Sequence, residues 1–505
     1  MNGVLLRWHR RLGLVAAVGV ILSSLSGMLH PLMTRLQPAP VKMMLDHGVP
    51  SLEFARAPGP ILAAHGIVAI TDLRVVSWNG RSYYQITLPD GVSRSYFGLH
   101  DGAPVADGDR QYAEYLAREF IGESAVAVRS ARIFRSFDWE YPRINRLLPV
   151  WRVEFDRADN MRAYVDTRTG RLGTLVDRAK GLGSVEFAIL HRWQWLDSIS
   201  PAARLVIFSL VLLAALSVAL SGIWIYLWRW SQSAGGWNLR RVHRVWGIAI
   251  SLVSFVFVLS GGYHLLHVGI NGDSGERSPA LPEPFPLVNL KVAPSEAVRL
   301  AAIAMVESVS LARIDGGPYY QVQPAQVPRA AQSESKQPHD EHLPHGKATP
   351  SQVETPGTPV FISAMDGEIL PDGVARFAVD TARGIVAGAV NGKITAVTQF
   401  DDEYGFAFKR LPVYRVPFAG NLTVYVDAAD GNIAAVIDNA DRAEAWVFSY
   451  IHKFEWLASI IGADWRDAIA SLSAFSLTIA ALLGIALYLQ LFRFIERRVG
   501  KLSRK

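Results

Sequence analysis

Four long stretches of the chain contain no Asp, Glu, Lys or Arg, and they set its organisation. They run Leu12–Thr34, Leu205–Trp228, Val245–Gly272 and Ala468–Phe492. Each exceeds the roughly 20 apolar residues that a helix needs to cross a bilayer. The pattern predicts four transmembrane helices. The first is interpreted as a helix and not as a secretory signal, because the same segment recurs later in the chain.

The segments around these helices predict the remaining boundaries. Residues 35–204 and 273–467 are two large loops, each long enough for a domain of its own. The first loop ends in an aromatic, interfacial stretch. The N-terminal segment and its helix cover residues 1–34. The other three helices are predicted at 205–228, 245–272 and 468–492. A short join covers 229–244, and a tail covers 493–505.

Basic residues concentrate beside the predicted helices. Residues 1–12, 229–244 and 493–505 together carry thirteen Lys or Arg and one Glu, although the whole chain has a net charge of only +6. The positive-inside rule places such segments in the cytoplasm. We therefore expect both termini to be cytoplasmic and both large loops to lie on the other side of the membrane.

Composition excludes several kinds of chemistry. The 505 residues include no cysteine, which excludes disulfides, thiolate metal sites, iron–sulfur clusters and thiol catalysis. The short cytoplasmic segments contain no Gly-rich nucleotide fingerprint, so the chain is not expected to draw electrons from NADH by itself. No Ser–His–Asp, paired-carboxylate or H-E-x-x-H pattern supports hydrolysis.

The two halves of the chain repeat each other. Matches near the helices keep an offset of 234 residues, and matches late in each half keep an offset of 261. They predict a duplicated helix–domain–helix unit whose parallel copies are related by a pseudo-twofold axis along the membrane normal. The matched pairs include His9 with His243, Ser26-Gly27 with Ser260-Gly261, His30 with His264, Tyr83-Tyr84-Gln85 with Tyr319-Tyr320-Gln321, Tyr164-Val165-Asp166 with Tyr425-Val426-Asp427, and His191 with His452.

The two large loops have the pattern of α+β domains. Asn79-Gly80 and Asp315-Gly316 lie between apolar runs and predict type I′ hairpins. Further strand pairs are expected at Val150–Phe155 with Ala163–Asp166, and at Val413–Phe418 with Thr423–Asp427. Amphipathic helices are expected at Tyr112–Phe120 and Ser295–Val306. Residues 324–359, rich in Pro, Ser, Gln and Glu, have no counterpart in the first half and predict a disordered insertion.

The duplicated strand–turn signature, flanked by helices with terminal histidines, resembles the PepSY-associated transmembrane proteins of bacterial inner membranes. This resemblance implies an α+β membrane protein of four transmembrane helices, built as two parallel helix–ectodomain–helix repeats with two periplasmic PepSY-like domains. Some members of that family are haem-containing ferric-siderophore reductases. Resemblance to them implies a role in iron acquisition.

The strongest candidate ligands are four histidines at repeated positions in the first and third helices. His9 and His30 are 21 residues apart, as are His243 and His264. That spacing rises about 31 Å and returns to nearly the same helix face, so each helix presents one imidazole near each membrane surface. We expect His9 to face His243 and His30 to face His264, which suits axial ligation of b-type haem, two or more in number. The alternatives are interhelical hydrogen bonding and proton or metal binding.

His191 and His452 form a third repeated pair at the predicted outer surface. Each begins an aromatic stretch before a transmembrane helix, so an interfacial aromatic belt is one interpretation. Ligation of an outer haem together with His30 and His264 is the other, and the sequence leaves the pairing open. His339, His342 and His345 lie in the predicted insertion, where a divalent ion could bind, although no separate metal site is predicted.

Charged residues also recur in the two large loops, as Arg152 and Arg415 and as Asp166 and Asp427. They are interpreted as strand ion pairs, and part of a ligand surface is the alternative. The leading functional hypothesis is a transmembrane electron conduit. A cytoplasmic reductase or quinol would donate electrons, and a periplasmic ferric chelate would accept them. The alternative is a non-enzymatic PepSY binding or regulatory protein. A transporter is disfavoured because the spans lack charged residues for ion coupling.

Overall fold

The computed structural model describes residues 2–42, 52, 55–228, 238–272, 283–325, 357–405 and 408–502. Most of the predicted insertion, with His339, His342 and His345, lies outside these residues. The described chain divides into two compact units. One comprises residues 1–37, 179–273 and 442–505 and is called the helical unit; the other comprises residues 38–178 and 274–441 and is called the sheet unit.

The helices account for the helical unit and for smaller parts of the sheet unit. In chain order they are α1 (Asn2–Arg35), α2 (Pro58–Ala64), α3 (Gly108–Ile121), α4 (Arg178–Leu190), α5 (Pro201–Trp228), α6 (Leu239–Asn271), α7 (Pro294–Ala301), α8 (Gly373–Arg383), α9 (Asn439–Trp446), α10 (Glu455–Ile461) and α11 (Ala463–Leu502). A π-helix, Val447–His452, joins α9 to α10, and short 3₁₀ turns occur at Arg143–Asn145, Gln194–Ser198 and Leu287–Asn289.

Four helices of the described chain are long and apolar enough to cross a membrane, as predicted. They are Gly3–Arg35, Pro201–Trp228, Leu239–Asn271 and Ala463–Gln490. Helix α1 begins well before Leu12, and α11 continues past Phe492. The uncharged run marks only the apolar length of a helix, because basic residues continue the helical backbone beyond it.

The four long helices form a closed ring. Helices α1 and α6 each pack against both α5 and α11, so α1 and α6 occupy opposite corners. Small residues allow close packing at the centre, where Ala16 of α1 meets Ala214 and Ala215 of α5. A hydrogen bond of 2.7 Å between the Ser24 and Thr478 hydroxyls links α1 to α11.

The strands form the sheet unit. In chain order they are β1 (Ala69–Ile70), β2 (Asp72–Trp78), β3 (Arg81–Thr87), β4 (Arg94–Gly98), β5 (Val128–Phe134), β6 (Val150–Phe155), β7 (Arg162–Asp166), β8 (Arg171–Val176), β9 (Phe285–Pro286), β10 (Val306–Ile314), β11 (Gly317–Pro324), β12 (Val360–Ser363), β13 (Thr395–Val397), β14 (Val413–Phe418), β15 (Leu422–Asp427) and β16 (Ile433–Ile437).

Each half of the chain contributes one four-stranded antiparallel sheet, β5-β6-β7-β8 or β13-β14-β15-β16. The two predicted hairpins are joined in a third sheet of order β12-β11-β10-β2-β3-β4, where Ser310 lies opposite Arg74. Leu73 and Tyr84 from the first half share one core with Val309 and Tyr320 from the second. The sheet unit is therefore one body built from both halves, and short strands β1 and β9 pair beside it.

Local predictions in the sheet unit are mostly confirmed. Both hairpin loops have two residues at positive φ: 50° and 72° at Asn79-Gly80, and 49° and 78° at Asp315-Gly316. This is the backbone of a type I′ turn. The predicted helix over Ser295–Val306 is wrong at its end, because Ala302 adopts a left-handed conformation that stops α7, and β-branched Val306 already belongs to β10.

Three of the four repeated charged residues make ion pairs, but with residues outside the repeated set. Arg152 pairs with Glu154 at 2.8 Å, and Arg415 lies 3.7 Å from Glu403. Asp427 pairs with Arg410 at 2.9 Å. Asp166 instead accepts hydrogen bonds from the Arg168 backbone N–H and the Thr169 hydroxyl.

Candidate functional site

The six candidate histidines fall into two groups in the helical unit. His9 and His243, near the starts of α1 and α6, interact electrostatically and form the two-histidine layer. His452 interacts electrostatically with His191, His264 and His30, and these four form the four-histidine layer. The structure thus brings together residues that are more than 400 positions apart in the chain.

His191 is held against α1 by its Nδ1 nitrogen. The Nδ1–H donates to the backbone carbonyl of Ser23 at 2.9 Å, and the Ser26 hydroxyl lies 3.3 Å from the same nitrogen. A carbonyl can only accept a hydrogen bond, so Nδ1 carries the proton and Nε2 keeps its lone pair. This is the tautomer that can ligate a metal through Nε2.

His452 is held against α6 in the matching way. Its Nδ1 lies 3.0 Å from the Ser260 hydroxyl, which donates its own hydrogen to the Val256 carbonyl at 2.6 Å. Because that hydroxyl hydrogen is already used, the Ser260 oxygen accepts from Nδ1–H of His452. His452 therefore has the same tautomer as His191.

A glycine next to each serine lets the imidazole approach the helix. A Cβ atom placed on Gly27 would lie 3.4 Å from Cε1 of His191, and one on Gly261 would lie 3.3 Å from Cε1 of His452. These glycines follow Ser26 and Ser260 in the repeated Ser-Gly pairs. Each Ser-Gly pair is thus a seat that fixes the ring and its proton.

His9 has a similar seat on α5. Its Nδ1 lies 2.9 Å from the Ser221 hydroxyl, which donates to the Ser217 carbonyl at 2.6 Å and so accepts from Nδ1–H. A Cβ atom on Gly222 would lie 3.3 Å from Cε1 of His9. Across the described residues, Nε2 of His9, His191 and His452 makes no hydrogen bond.

His243 has the glycine of such a seat but not the serine. Gly484 of α11 faces its Cε1, at 3.5 Å from a Cβ placed on that glycine. The residue before this glycine is Leu483, where α5 has Ser221. The Nδ1 atom of His243 is buried and has no hydrogen-bond partner in the described part of the chain.

His30 and His264 contact the other two histidines of their layer through aromatic rings. The Phe187 ring lies 4.4 Å from that of His191 and 5.2 Å from that of His30. Phe448 repeats this between His452, at 5.2 Å, and His264, at 4.2 Å. His264 also donates from Nδ1 to the Glu444 carboxylate at 2.5 Å, whereas the corresponding position in the first half is Gly183.

These side chains match a macrocycle held by two imidazoles. Imidazoles whose Nδ1–H is held by an acceptor and whose Nε2 keeps its lone pair are the donors of bis-histidine haem ligation. The glycines beside them leave room for the rings. The residues present therefore fit a b-type haem.

Sequence reasoning missed the residues that orient the imidazoles. Ser26-Gly27 and Ser260-Gly261 stood out as repeated pairs, but their spacing alone does not show that they receive His191 and His452. Ser221, Gly222, Gly484 and Glu444 gave no recognisable signal. His267, which the sequence leaves without a partner in the first repeat, lies 3.2 Å from the Asn271 amide through its Nδ1.

A scan against protein-family models finds no match for this chain, and a search of curated proteins finds none either. The resemblance to PepSY-associated membrane proteins therefore remains a prediction from sequence.

Proposed function

We propose that this chain is a b-type haem electron-transfer protein of the bacterial inner membrane that reduces a periplasmic acceptor. The acceptor would be a ferric siderophore or another ferric chelate, and the role would be iron acquisition. A cytoplasmic reductase or membrane quinol would supply the electrons, since the cytoplasmic segments have no nucleotide fingerprint.

The observation that carries this proposal is the shared state of His9, His191 and His452. In each, a serine hydroxyl or backbone carbonyl accepts the Nδ1–H hydrogen bond and leaves the Nε2 lone pair without a partner. Fixing the tautomer this way is how proteins prepare a histidine as a metal ligand. Histidines kept only for interhelical packing have no need of an unpartnered Nε2 in an apolar bundle.

The seats also favour one pairing of ligands. His191 is seated on α1 and His452 on α6, which occupy opposite corners of the ring, and the two imidazoles interact electrostatically. His9 on α5 and His243 beside α11 repeat this arrangement in the other layer. We therefore assign His9 with His243, and His191 with His452, as the axial pairs.

His30 and His264 have a different role in this proposal. They stack near Phe187 and Phe448, which separate them from the assigned ligands. Nδ1–H of His264 is also held by an acceptor, Glu444, but neither His264 nor His30 is seated on a Ser-Gly pair, and neither is assigned as a ligand. A bound haem would supply the one-electron chemistry, and the chain orients the imidazoles and keeps their Nε2 atoms unprotonated. Reduction favours release of iron because Fe(II) binds hard oxygen ligands less tightly than Fe(III).

The test is the absorption spectrum of the purified, dithionite-reduced protein and its variants. We expect sharp b-type bands in the wild type. His243→Ala should remove the part of the haem absorbance that comes from the two-histidine layer, and His452→Ala the part that comes from the four-histidine layer. His267→Ala, another α6 histidine, is the matched control and should leave the bands unchanged.

A second pair of variants tests the seats without removing a ligand. Gly261→Val puts branched carbons against the His452 ring and should reduce the haem held in the four-histidine layer. Gly247→Val, on the same helix, meets open space and should not. A colourless preparation from haem-replete cells would contradict the proposal and favour a binding or regulatory protein.

A further inference from the structure

Two basic residues directly follow the proposed ligands of the four-histidine layer. Arg192 follows His191, and Lys453 follows His452, at the same offset of 261. The Arg192 guanidinium carbon lies 5.8 Å from the centre of the Phe187 ring, and the Lys453 Nζ lies 4.6 Å from the centre of the Phe448 ring. Both halves thus place a cation beside the same aromatic–imidazole stack.

Neither cation makes an ion pair with a carboxylate in the described part of the chain. No carboxylate oxygen lies within the 4.0 Å of an ion pair from either side chain, and the buried Arg192 Nε makes no hydrogen bond. Lys453 interacts electrostatically with Glu455 and Glu444, and Arg192 with Asp197, but none of these carboxylates lies within ion-pair distance of the cation.

The nearby carboxylates are already paired with other bases. Asp197 accepts from Arg204 at 2.8 Å. Glu455 accepts from Arg466 at 2.6 Å, and Glu444 accepts from His264 at 2.5 Å. The acidic residues around Arg192 and Lys453 therefore already have ion-pair or hydrogen-bond partners, whereas the two cations have no ion-pair partner.

A cation without a counter-ion is costly at membrane depth. An aromatic ring offsets only about 1–2 kcal/mol of that cost. Unpaired basic residues near a bilayer therefore mark the position of an anion that is part of the functional state. Because the two cations are related by the repeat, the expected ligand has two acidic groups.

We infer that Arg192 and Lys453 bind the two carboxylates of the porphyrin held between His191 and His452, one cation for each carboxylate. This inference rests on the proposed function. It adds that the four-histidine layer recognises a dicarboxylic macrocycle, with each cation next in sequence to a ligand. A lipid phosphate is the other source of an oxyanion, and the test below distinguishes it.

The test compares iron protoporphyrin IX with its dimethyl ester, whose carboxylates carry no charge. The full chain, with His9→Ala and His243→Ala to leave one layer, is depleted of haem and placed in nanodiscs of phosphatidylcholine. Each porphyrin is then titrated by absorbance. We expect the diacid to bind about a hundredfold more tightly than the ester, since each of the two charge-assisted contacts is worth about a factor of ten.

Variants assign that preference to the two cations. Arg192→Gln and Lys453→Gln should each reduce it about tenfold, and the double variant should abolish it, with ester binding nearly unchanged. Arg192→Lys and Lys453→Arg, which keep the charge, should retain most of it. Lys393→Gln removes an exposed cation of the sheet unit and should have no effect.

Each outcome decides the inference. Equal binding of diacid and ester by the parent chain would overturn it and leave the proposed function standing. A preference that is insensitive to the glutamine variants would overturn it too. So would a variant effect that appears only when phosphatidylglycerol replaces phosphatidylcholine in the nanodiscs, because that result would assign the cations to an anionic lipid headgroup. If neither porphyrin binds, the proposed function fails and the inference fails with it.

Discussion

At the scale of single residues, the two halves differ at the proposed ligands of the two-histidine layer. Ser221 accepts the Nδ1–H hydrogen bond of His9, but the corresponding Leu483 offers His243 nothing, and Nδ1 of His243 is buried without a partner in the described chain. A hydrogen bond to Nδ1 fixes the ring and makes the ligating nitrogen more basic. The two imidazoles of this layer are therefore unequal ligands.

We expect Ser221→Ala to weaken haem binding in the two-histidine layer about tenfold, the lower end of the range for loss of an outer-sphere partner. Leu483→Ser should strengthen it by giving His243 an acceptor. The measurement is porphyrin titration in a chain carrying His191→Ala and His452→Ala.

Two substitutions control for changes of side-chain volume and for loss of a hydroxyl elsewhere. Ser217→Ala, one turn earlier on α5, removes a hydroxyl that donates to the Leu213 carbonyl and should change little. If Leu483→Ala strengthens binding as much as Leu483→Ser, the hydrogen bond is not the cause.

At the scale of elements, local chemistry was enough to predict turns and spans. The Asn-Gly and Asp-Gly loops require positive φ, so Asn79-Gly80 and Asp315-Gly316 identified both hairpins before any tertiary information. The uncharged runs identified the four long helices because no shorter element needs so much apolar length.

Contacts between distant segments were beyond sequence reasoning. One-dimensional patterns contain no information on the pairing of β2 with β10 or on the seating of His452 on Ser260-Gly261. The end of α7 was missed for a related reason: Ala302 has good helix propensity, but its left-handed backbone is set by where β10 must begin. Tertiary packing decides such positions.

The direction of the long helices across the membrane is testable because the chain has no cysteine. A single introduced cysteine can be labelled without background. We expect Gly3→Cys, at the start of α1, to react with a membrane-impermeant maleimide only after the inner membrane is permeabilised. Lys393→Cys in the sheet unit should react from the periplasm. The reverse pattern would contradict the positive-inside assignment and the proposed direction of electron transfer.

At the scale of the whole molecule, the sheet unit depends on an ion cluster shared by both halves. Arg171 of the first half donates to the Asp427 carboxylate and, at 2.9 Å, to the Leu411 carbonyl of the second half. Arg410 pairs with the same carboxylate at 2.9 Å, and Asp427 is fully buried. A buried charge of this kind is tolerated only while its partners remain in place.

The Asp427 carboxyl also links this cluster to pH. Burial alone would raise the pKa of Asp427, but the guanidinium groups of Arg171 and Arg410 outweigh it and hold the pKa below its usual value. A carboxyl whose pKa is lower in the folded state stabilises the fold at pH values above its unfolded pKa of about 4. That contribution is lost as the pH falls from there through the folded pKa.

We therefore expect Asp427→Asn to lower the free energy of unfolding by about 3 kcal/mol at pH 7, because two buried guanidinium groups lose their shared counter-charge. Thermal unfolding of the full chain, followed by circular dichroism, measures this. The difference in unfolding free energy between wild type and variant should be constant from pH 7 to about pH 5 and should become smaller below about pH 4. Asp402→Asn, at an exposed position, controls for loss of a carboxylate, and its unfolding free energy should stay close to that of the wild type at every pH. A widening of this difference for Asp427→Asn on acidification would mean that the pKa of the Asp427 carboxyl is higher in the folded than in the unfolded state, and that the cluster does not hold the two halves together by charge.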